Sequence, residues 1–237
     1  MKILKNSDVR LFLVPTPIGN LSDITLRTIE VLSDVDIIFC EDTRRARILL
    51  EKYDIKKPLK SLHSHNISRK VDEILSLLKD GKRIAYISDS GTPGLSDPGA
   101  EIIAAAQENG FYAAVLPGAN ALIPAVIMSG LRCDKFLFLG FIPSSPTKRR
   151  RIFKNLVDFP FTMVFYESPH RIVKTLVDGE KIFGDRNCTV VREISKIHEE
   201  VISGKFSELI EHFQKNAPRG EIVLVISGSE SSDSPIL

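Results

Sequence analysis

Strand-like apolar runs alternate with helix-spaced stretches from residue 11 to residue 117, and this rhythm restricts the fold more than any other feature of the chain. LFLVP (11–15), VDIIFC (35–40), RIAYIS (83–88) and FYAAVLP (111–117) read as strands. Between them ITLRTIEVL (24–32), TRRARILLEKY (43–53), NISRKVDEILSLLKDG (66–81) and the stretch 100–109 carry helical spacing. In the third of these, Ile67, Val71, Ile74, Leu75 and Leu78 share one face, and Gly81 closes it. Continuous apolar strands separated by helices predict a mainly parallel sheet covered on both faces, an α/β fold.

After Pro117-Gly118 the rhythm changes. A helix over 120–130 leads to KFLFLGF (135–141), a link IPSSP (142–146) and a basic run TKRRR (147–151). FTMVFYE (161–167), CTVVREI (188–194), EEVISG (199–204) and EIVLVISG (221–228) read as strands, with helices over 169–177 and 206–214. Several strands follow one another through short connections, which predicts a mixed sheet. The expected organisation is an N-terminal α/β domain over 1–117, a C-terminal α/β domain over 118–228 and a flexible tail over 229–237.

The glycines exclude several common sites. No two of the 14 are two positions apart, so a G-x-G-x-x-G dinucleotide turn is impossible. Gly81-Lys82-Arg83 and Gly204-Lys205-Phe206 lack the ending of a phosphate-binding P-loop, and no G-x-S-x-G nucleophile elbow occurs. His198-Glu199-Glu200 lacks the second histidine of a zinc protease. Cys40, Cys133 and Cys188 are far apart, which suggests neither a disulfide framework nor a zinc site. Cys40 and Cys188 lie in apolar runs and read as buried thiols. No stretch approaches the ~20 apolar residues of a bilayer span, and the apolar run near the N-terminus is too short for a signal peptide. A cytoplasmic protein with no membrane contact is the expectation. A net charge of +2 leaves nucleic-acid contact to local patches.

Three turns stand out. PTPIGNLSD (15–23) and SDSGTPGLSDPG (88–99) each join a strand to a helix, and PGAN (117–120) follows the strand at 111–117. In a parallel sheet all three emerge at the carboxyl rim, where such folds bind ligands. Proline fixes φ and glycine permits φ > 0, so the turns are stiff and shaped. They serve either as tight connections alone or as a cradle offering backbone groups to a small ligand.

The stretches VPTPIGNLSDITLRTIEVLSDVDIIFCEDTRR (14–45), SDSGTPGLSDPG (88–99), LPGANAL (116–122), FYESPHRI (165–172), REISKIHEE (192–200) and RGEIVLVI (219–226) follow one another in this order. Together they closely resemble the RsmI family of small-subunit ribosomal RNA 2′-O-methyltransferases, within the tetrapyrrole methylase-like superfamily. The resemblance covers roughly residues 10–228. It implies two α/β domains with S-adenosylmethionine (AdoMet) in a cleft between them, and methylation of the ribose 2′-hydroxyl of a cytidine in the decoding region of 16S rRNA. It also implies a homodimer acting on 16S rRNA or the small ribosomal subunit, with no metal. It assigns cofactor contacts to Pro17, Ile18 and Gly19 of the first turn, to Gly91, Thr92, Pro93 and Leu95 of the second, and to Asn120 and Ala121 of the third. Phe165, Tyr166 and Ile222 are added from the second domain. One departure is Pro117-Gly118-Ala119-Asn120, where the family usually has Pro-Gly-Pro and a small residue.

Methyl transfer to a hydroxyl needs alignment, exclusion of water and, where a base helps, a group to accept the proton. Asp42, Asp97 and Glu167 are the catalytic candidates, with Glu193 and His170 beside them. Each has a structural reading as well. Asp42 and Asp97 precede helices and read as caps, and Glu167 stands four residues before Arg171, the spacing of an ion pair. Glu193 and Lys196 read as an ion pair or a substrate clamp. His63 and His65 read as an exposed or RNA-facing loop pair rather than metal ligands. Two basic clusters suit phosphate contacts: Arg44 and Arg45, with Arg47, beside Glu41-Asp42, and Lys148, Arg149, Arg150 and Arg151, with Lys154. Solvated surface is the plainer reading of either. Two other functions remain: a C-methyltransferase of tetrapyrroles, and an RNA-binding relative without activity. The first would methylate uroporphyrinogen; the second would bind RNA without AdoMet.

Overall fold

A computed structural model describes residues 9–63 and 66–229. His65 and the expected tail beyond Ser229 lie outside the described residues. The chain divides into two compact units, Met1–Asn120 and Ala121–Leu237.

The first unit is built on a five-stranded sheet. Its strands are β1 (Leu11–Val14), β2 (Ile37–Cys40), β3 (Leu59–Ser61), β4 (Ile84–Ile87) and β5 (Ala113–Val115), ordered β3-β2-β4-β1-β5. All its pairings are parallel. Helices α1 (Leu26–Asp34), α2 (Thr43–Lys52), α3 (Ile67–Lys79) and α4 (Gly99–Glu108) connect the strands. Side chains alternate across the sheet. Phe12, Val14, Ile38, Cys40, Ala85 and Ile87 meet Leu32 of α1 and Ala46 and Leu50 of α2. Leu11, Leu13, Phe39, Ile84 and Tyr86 meet Ile74 and Leu78 of α3 and Ile102 of α4. Both faces are therefore covered, which explains why these strands are apolar throughout.

Local signals set the helix ends. Thr25 Oγ1 accepts from the Thr28 N–H at 3.1 Å and starts α1 two residues later than the apolar spacing suggested. The residues before it, Leu21–Asp23, form a 3-10 turn capped by Asn20. Gly81, at φ 79°, ends α3 with its N–H on the Leu78 carbonyl and that of Lys82 on Leu77.

The second unit carries a mixed sheet of β6 (Phe136–Phe141), β7 (Thr162–Glu167), β8 (Asn187–Arg192), β9 (Glu200–Lys205) and β10 (Ile222–Ile226), ordered β6-β7-β10-β8-β9. Only β6 and β7 pair in parallel. Helices α5 (Leu122–Met128), α6 (Pro146–Asn155), α7 (Ile172–Phe183) and α8 (Phe206–Lys215) complete it. Phe153, Phe183, Phe206, Leu209 and Phe213 pack on Phe165, Val190 and Leu224 of the sheet.

Three elements differ from the sequence reading. β3 is a short, partly exposed edge strand that carries little apolar signal. Residues 142–145 do form a link, but the basic run after them is part of helix α6, started by Pro146 in its first turn, where proline's missing N–H has no helical partner to lose. Helix α7 continues past residue 177 to Phe183, because Gly179 admits the Phe206 ring against the helix. A Cβ there would lie 2.6 Å from Phe206 Cε1.

Candidate functional site at the carboxyl rim of the first sheet

β1 and β4 are neighbours, yet the chain leaves them toward opposite edges, β1 toward β2 and β4 toward β5. Such a switch opens the carboxyl rim between the two strands. The three turns singled out in the sequence meet here. Thr16 and Gly91 form an antiparallel bridge through two N–H to C=O bonds of 3.0 Å. The Thr16 hydroxyl donates to the Ser88 carbonyl at 3.2 Å, and the Ser88 hydroxyl to the Gly91 carbonyl at 3.1 Å. Thr92 Oγ1 donates to the Ala119 carbonyl at 3.0 Å, tying the second turn to the third.

Two glycines make this closeness possible. Gly91 has φ 82°, and a Cβ there would lie 3.3 Å from Ile18 Cγ2 and 3.5 Å from the Ala119 oxygen. At Gly118 a Cβ would lie 2.5 Å from Pro15 Cβ, well inside contact distance. Gly118→Ala should therefore cost roughly 1–3 kcal/mol of stability, the usual range for overpacking. Denaturant unfolding checks this, and a change below about 0.5 kcal/mol would contradict the tight approach of the first and third turns.

The end of β2 joins the same rim. The Asp42 N–H donates to Asp89 Oδ1 and the Asp89 N–H to Glu41 Oε1, each at 3.0 Å. These exchanges extend the β2–β4 ladder past its last backbone pair, Cys40 with Ile87. Burial, and then the charges of Asp97 and Asp89, raise the Glu41 pKa against the opposing pull of the Asp89 N–H. Burial, then the charges of Asp97 and Glu41, raise that of the Tyr86 phenol beneath the rim. Burial and the charges of Asp89, Asp42 and Glu41 push the Cys40 thiol up to about 12.

The catalytic candidates hold structural posts. Asp97 accepts from the Gly94 N–H at 3.0 Å and the Gly99 N–H at 2.8 Å, clamping the second turn against α4. Asp42 caps α2 through the Arg44 N–H and takes two bonds from the Arg44 guanidinium, at 3.0 and 2.7 Å. Those bonds hold its carboxyl well below the usual range. Glu167, in the second unit, is buried; it accepts from the Ser168 N–H at 2.6 Å and the Thr175 hydroxyl, and pairs with Arg171 at 2.6 Å. Glu193 pairs with Lys196 at 2.9 Å and accepts from the Glu221 N–H. His170 is exposed.

In the second unit, Phe165 and Ile222 turn their side chains into the core. Side-chain contact with a ligand is thus excluded for these two in their own fold, because strand alternation points them inward. Tyr166 faces the other way, partly exposed, with Phe138 and Phe141 edge-on to it at 4.9 and 5.3 Å. The basic run is divided between surface and interior. Lys148, Arg150 and Arg151 are exposed, but Arg149 is 3% exposed and is paired with Asp178 of α7. A guanidinium held there cannot meet a phosphate.

Asp89 was not among the expected site residues, although it sits at the head of the second turn. Its type carries no distinguishing signal. Only the pairing of β2 with β4 brings it to Asp42 and Arg45.

Among the described residues, no group of three or more His, Cys, Asp or Glu is placed to hold a metal ion. Among the described residues, too, no helix is long and apolar enough to cross a membrane. The tetrapyrrole (corrin/porphyrin) methylase model matches residues 10–210. Ribosomal RNA small subunit methyltransferase I of Thermotoga maritima is 47% identical over 221 residues, covering 93% of this chain and 99% of that protein. The Bacillus subtilis protein of the same name is 44% identical over 223 residues, covering 94% of this chain and 76% of its own. Among solved structures, uroporphyrin-III-C-methyltransferase of Thermus thermophilus shares the fold, with TM-score 0.63 at 17% identity over 93% of this chain and 94% of that one. The chain belongs to the tetrapyrrole methylase family and, within it, to the ribosomal RNA small subunit methyltransferase I proteins.

Proposed function

We propose that this chain transfers a methyl group from AdoMet to the ribose 2′-hydroxyl of a cytidine in the decoding region of 16S rRNA. Family membership makes it a methyltransferase of ribosomal RNA; the nucleotide, the oxygen and the donor are the further content of the proposal. It is supported chiefly by the mutual attachment of the three turns, through the Thr16–Gly91 bridge, the Thr92–Ala119 bond and the Gly118–Pro15 approach. Such a rim presents backbone groups in fixed positions, as a small polar cofactor requires. Ile18, Gly91, Thr92, Leu95 and Asn120 would hold AdoMet there, with Pro17, Gly19, Pro93 and Ala121 shaping the turns. When bound, AdoMet supplies a methyl group activated by a sulfonium cation.

The residues of the chain then align the hydroxyl and exclude water. Asp42, Asp97 and Glu167 are already committed to hydrogen bonds of their own helices and turns. Positioning of the hydroxyl therefore carries the rate, rather than any one of them acting as base. Exposed Arg44, Arg45, Lys148, Arg150 and Arg151 supply contacts to the RNA, most of them to phosphates. The proposal includes a homodimer in the cytoplasm, with domains over 1–117 and 118–228 and a tail beyond, acting on 16S rRNA or the small subunit.

The test is made on product. Small-subunit rRNA from a strain lacking the gene should have lost one methyl from a cytidine ribose when its decoding region is digested for mass spectrometry. Purified protein with AdoMet should restore it. A full methyl complement in the deletion strain would refute the substrate assignment.

A further inference from the structure

A cavity of about 220 Å³ opens in the first unit beside the first two turns, toward β2 and α2. Apolar Pro17, Leu21, Ile48 and Leu49 line it together with Arg45 and Asp89. It is smaller than the ~300–1,000 Å³ of a site enclosing a whole cofactor-sized ligand. Ile48 is 64% exposed, an apolar side chain that the core does not use. Arg45 Nη1 lies 3.4 Å from Asp89 Oδ2, too far for a good hydrogen bond, so both groups keep capacity for a ligand. Asp89 Oδ1 is spent on the Asp42 N–H, which fixes the carboxylate and leaves Oδ2 as acceptor. Arg44 and Arg47 on the same helix are exposed, so phosphates following α2 would bring a nucleotide to this cavity.

We infer that the cavity receives the base of the target nucleotide, and that Asp89 and Arg45 select cytosine. This rests on the cytidine reading above. Cytosine offers an amino donor at N4 and acceptors at N3 and O2. A carboxylate accepts from N4 and a guanidinium donates to the other two. Uracil places a carbonyl oxygen where cytosine has its amino group and would face the carboxylate with like polarity. The apolar lining suits the faces of a ring splayed out of its stack, the usual state of a base read in RNA. Pro17 borders this cavity and Asp89 heads the second turn, but the pair lies over β2 and β4, whereas Gly91, Thr92 and Asn120 meet farther along the rim, toward β1 and β5.

The experiment uses small subunits from the deletion strain carrying cytidine or uridine at the target position, with AdoMet affinity measured in parallel. Asp89→Asn keeps the oxygen that accepts from Asp42 and places an amide donor where Oδ2 stood. It should lower the preference for cytidine over uridine, as kcat/KM, by about tenfold or more, with AdoMet affinity unchanged. Arg45→Gln, at an exposed position, should lower the same ratio. An unchanged ratio in both variants would overturn the inference. So would a loss of AdoMet affinity in Asp89→Asn, which would assign the pair to the amino-acid end of the cofactor. If wild-type protein leaves the cytidine ribose unmodified, the proposed function fails first, and independently of these variants.

Discussion

Thr92→Lys should abolish AdoMet binding while the protein stays folded. Thr92 is half-buried, and its hydroxyl ties the second turn to the third through the Ala119 carbonyl. Lysine removes that bond and adds a long cation where a sulfonium-bearing ligand is to sit. The hydrogen bond itself contributes only about 0.5–1.5 kcal/mol, so the fold should survive. The cofactor would meet both a filled site and a like charge. Titration calorimetry should show affinity lower by at least about 100-fold, with the circular dichroism spectrum unchanged; Thr92→Ser, which keeps the hydroxyl, should bind nearly as wild type. An unaltered affinity in Thr92→Lys would remove the second turn from the cofactor site.

The second large effect is on stability. Asp178 receives bonds from the Nε atoms of Arg149 and Arg150, each at 2.8 Å, and both Arg149 and Asp178 are 3% exposed. Asp178→Ala would leave the Arg149 charge buried without a partner, which costs about 3–5 kcal/mol. Urea unfolding followed in the second unit measures this, and a loss under about 1 kcal/mol would show that water or another group replaces the carboxylate. Replacing both partners, Arg149→Met with Asp178→Leu, should recover most of the loss. Burial opposes ionisation of Asp178, but the bonds from Arg150 and Arg149 outweigh it and lower its pKa. The pair's contribution is therefore complete above the ordinary aspartate value of 3.8 and disappears as pH falls through the lower folded value.

The same pair explains what the sequence hid. β1, β2 and β4 were legible because strands buried on both faces are apolar at every position. The three turns were legible because proline and glycine limit the backbone directly. Helix α6 was not, since its inward face consists of Arg149 and Phe153. An inward arginine reads as surface until its partner, 29 residues away, is known. β3 failed for the opposite reason: an edge strand of three partly exposed residues needs no apolar pattern. At the site, the chain announced its turns but not Asp89 or the cavity, which arise from the β2–β4 pairing and the placement of α2. The helix expected over 169–177 runs on to Phe183, and the reason, the Phe206 ring against Gly179, comes from another helix.

The position of β10 has a consequence for how the molecule is made. Every strand of the first sheet has been synthesised by Val115, so its rim can form early. The second sheet cannot close in that order, because its middle strand, β10, is its last. Until residues 222–226 emerge, β6–β7 and β8–β9 are separate ribbons, each with an unpaired inner edge. Such edges invite pairing with other chains. The first unit can reach its folded form during translation, while the second stays vulnerable to misassembly until one late strand joins its two halves.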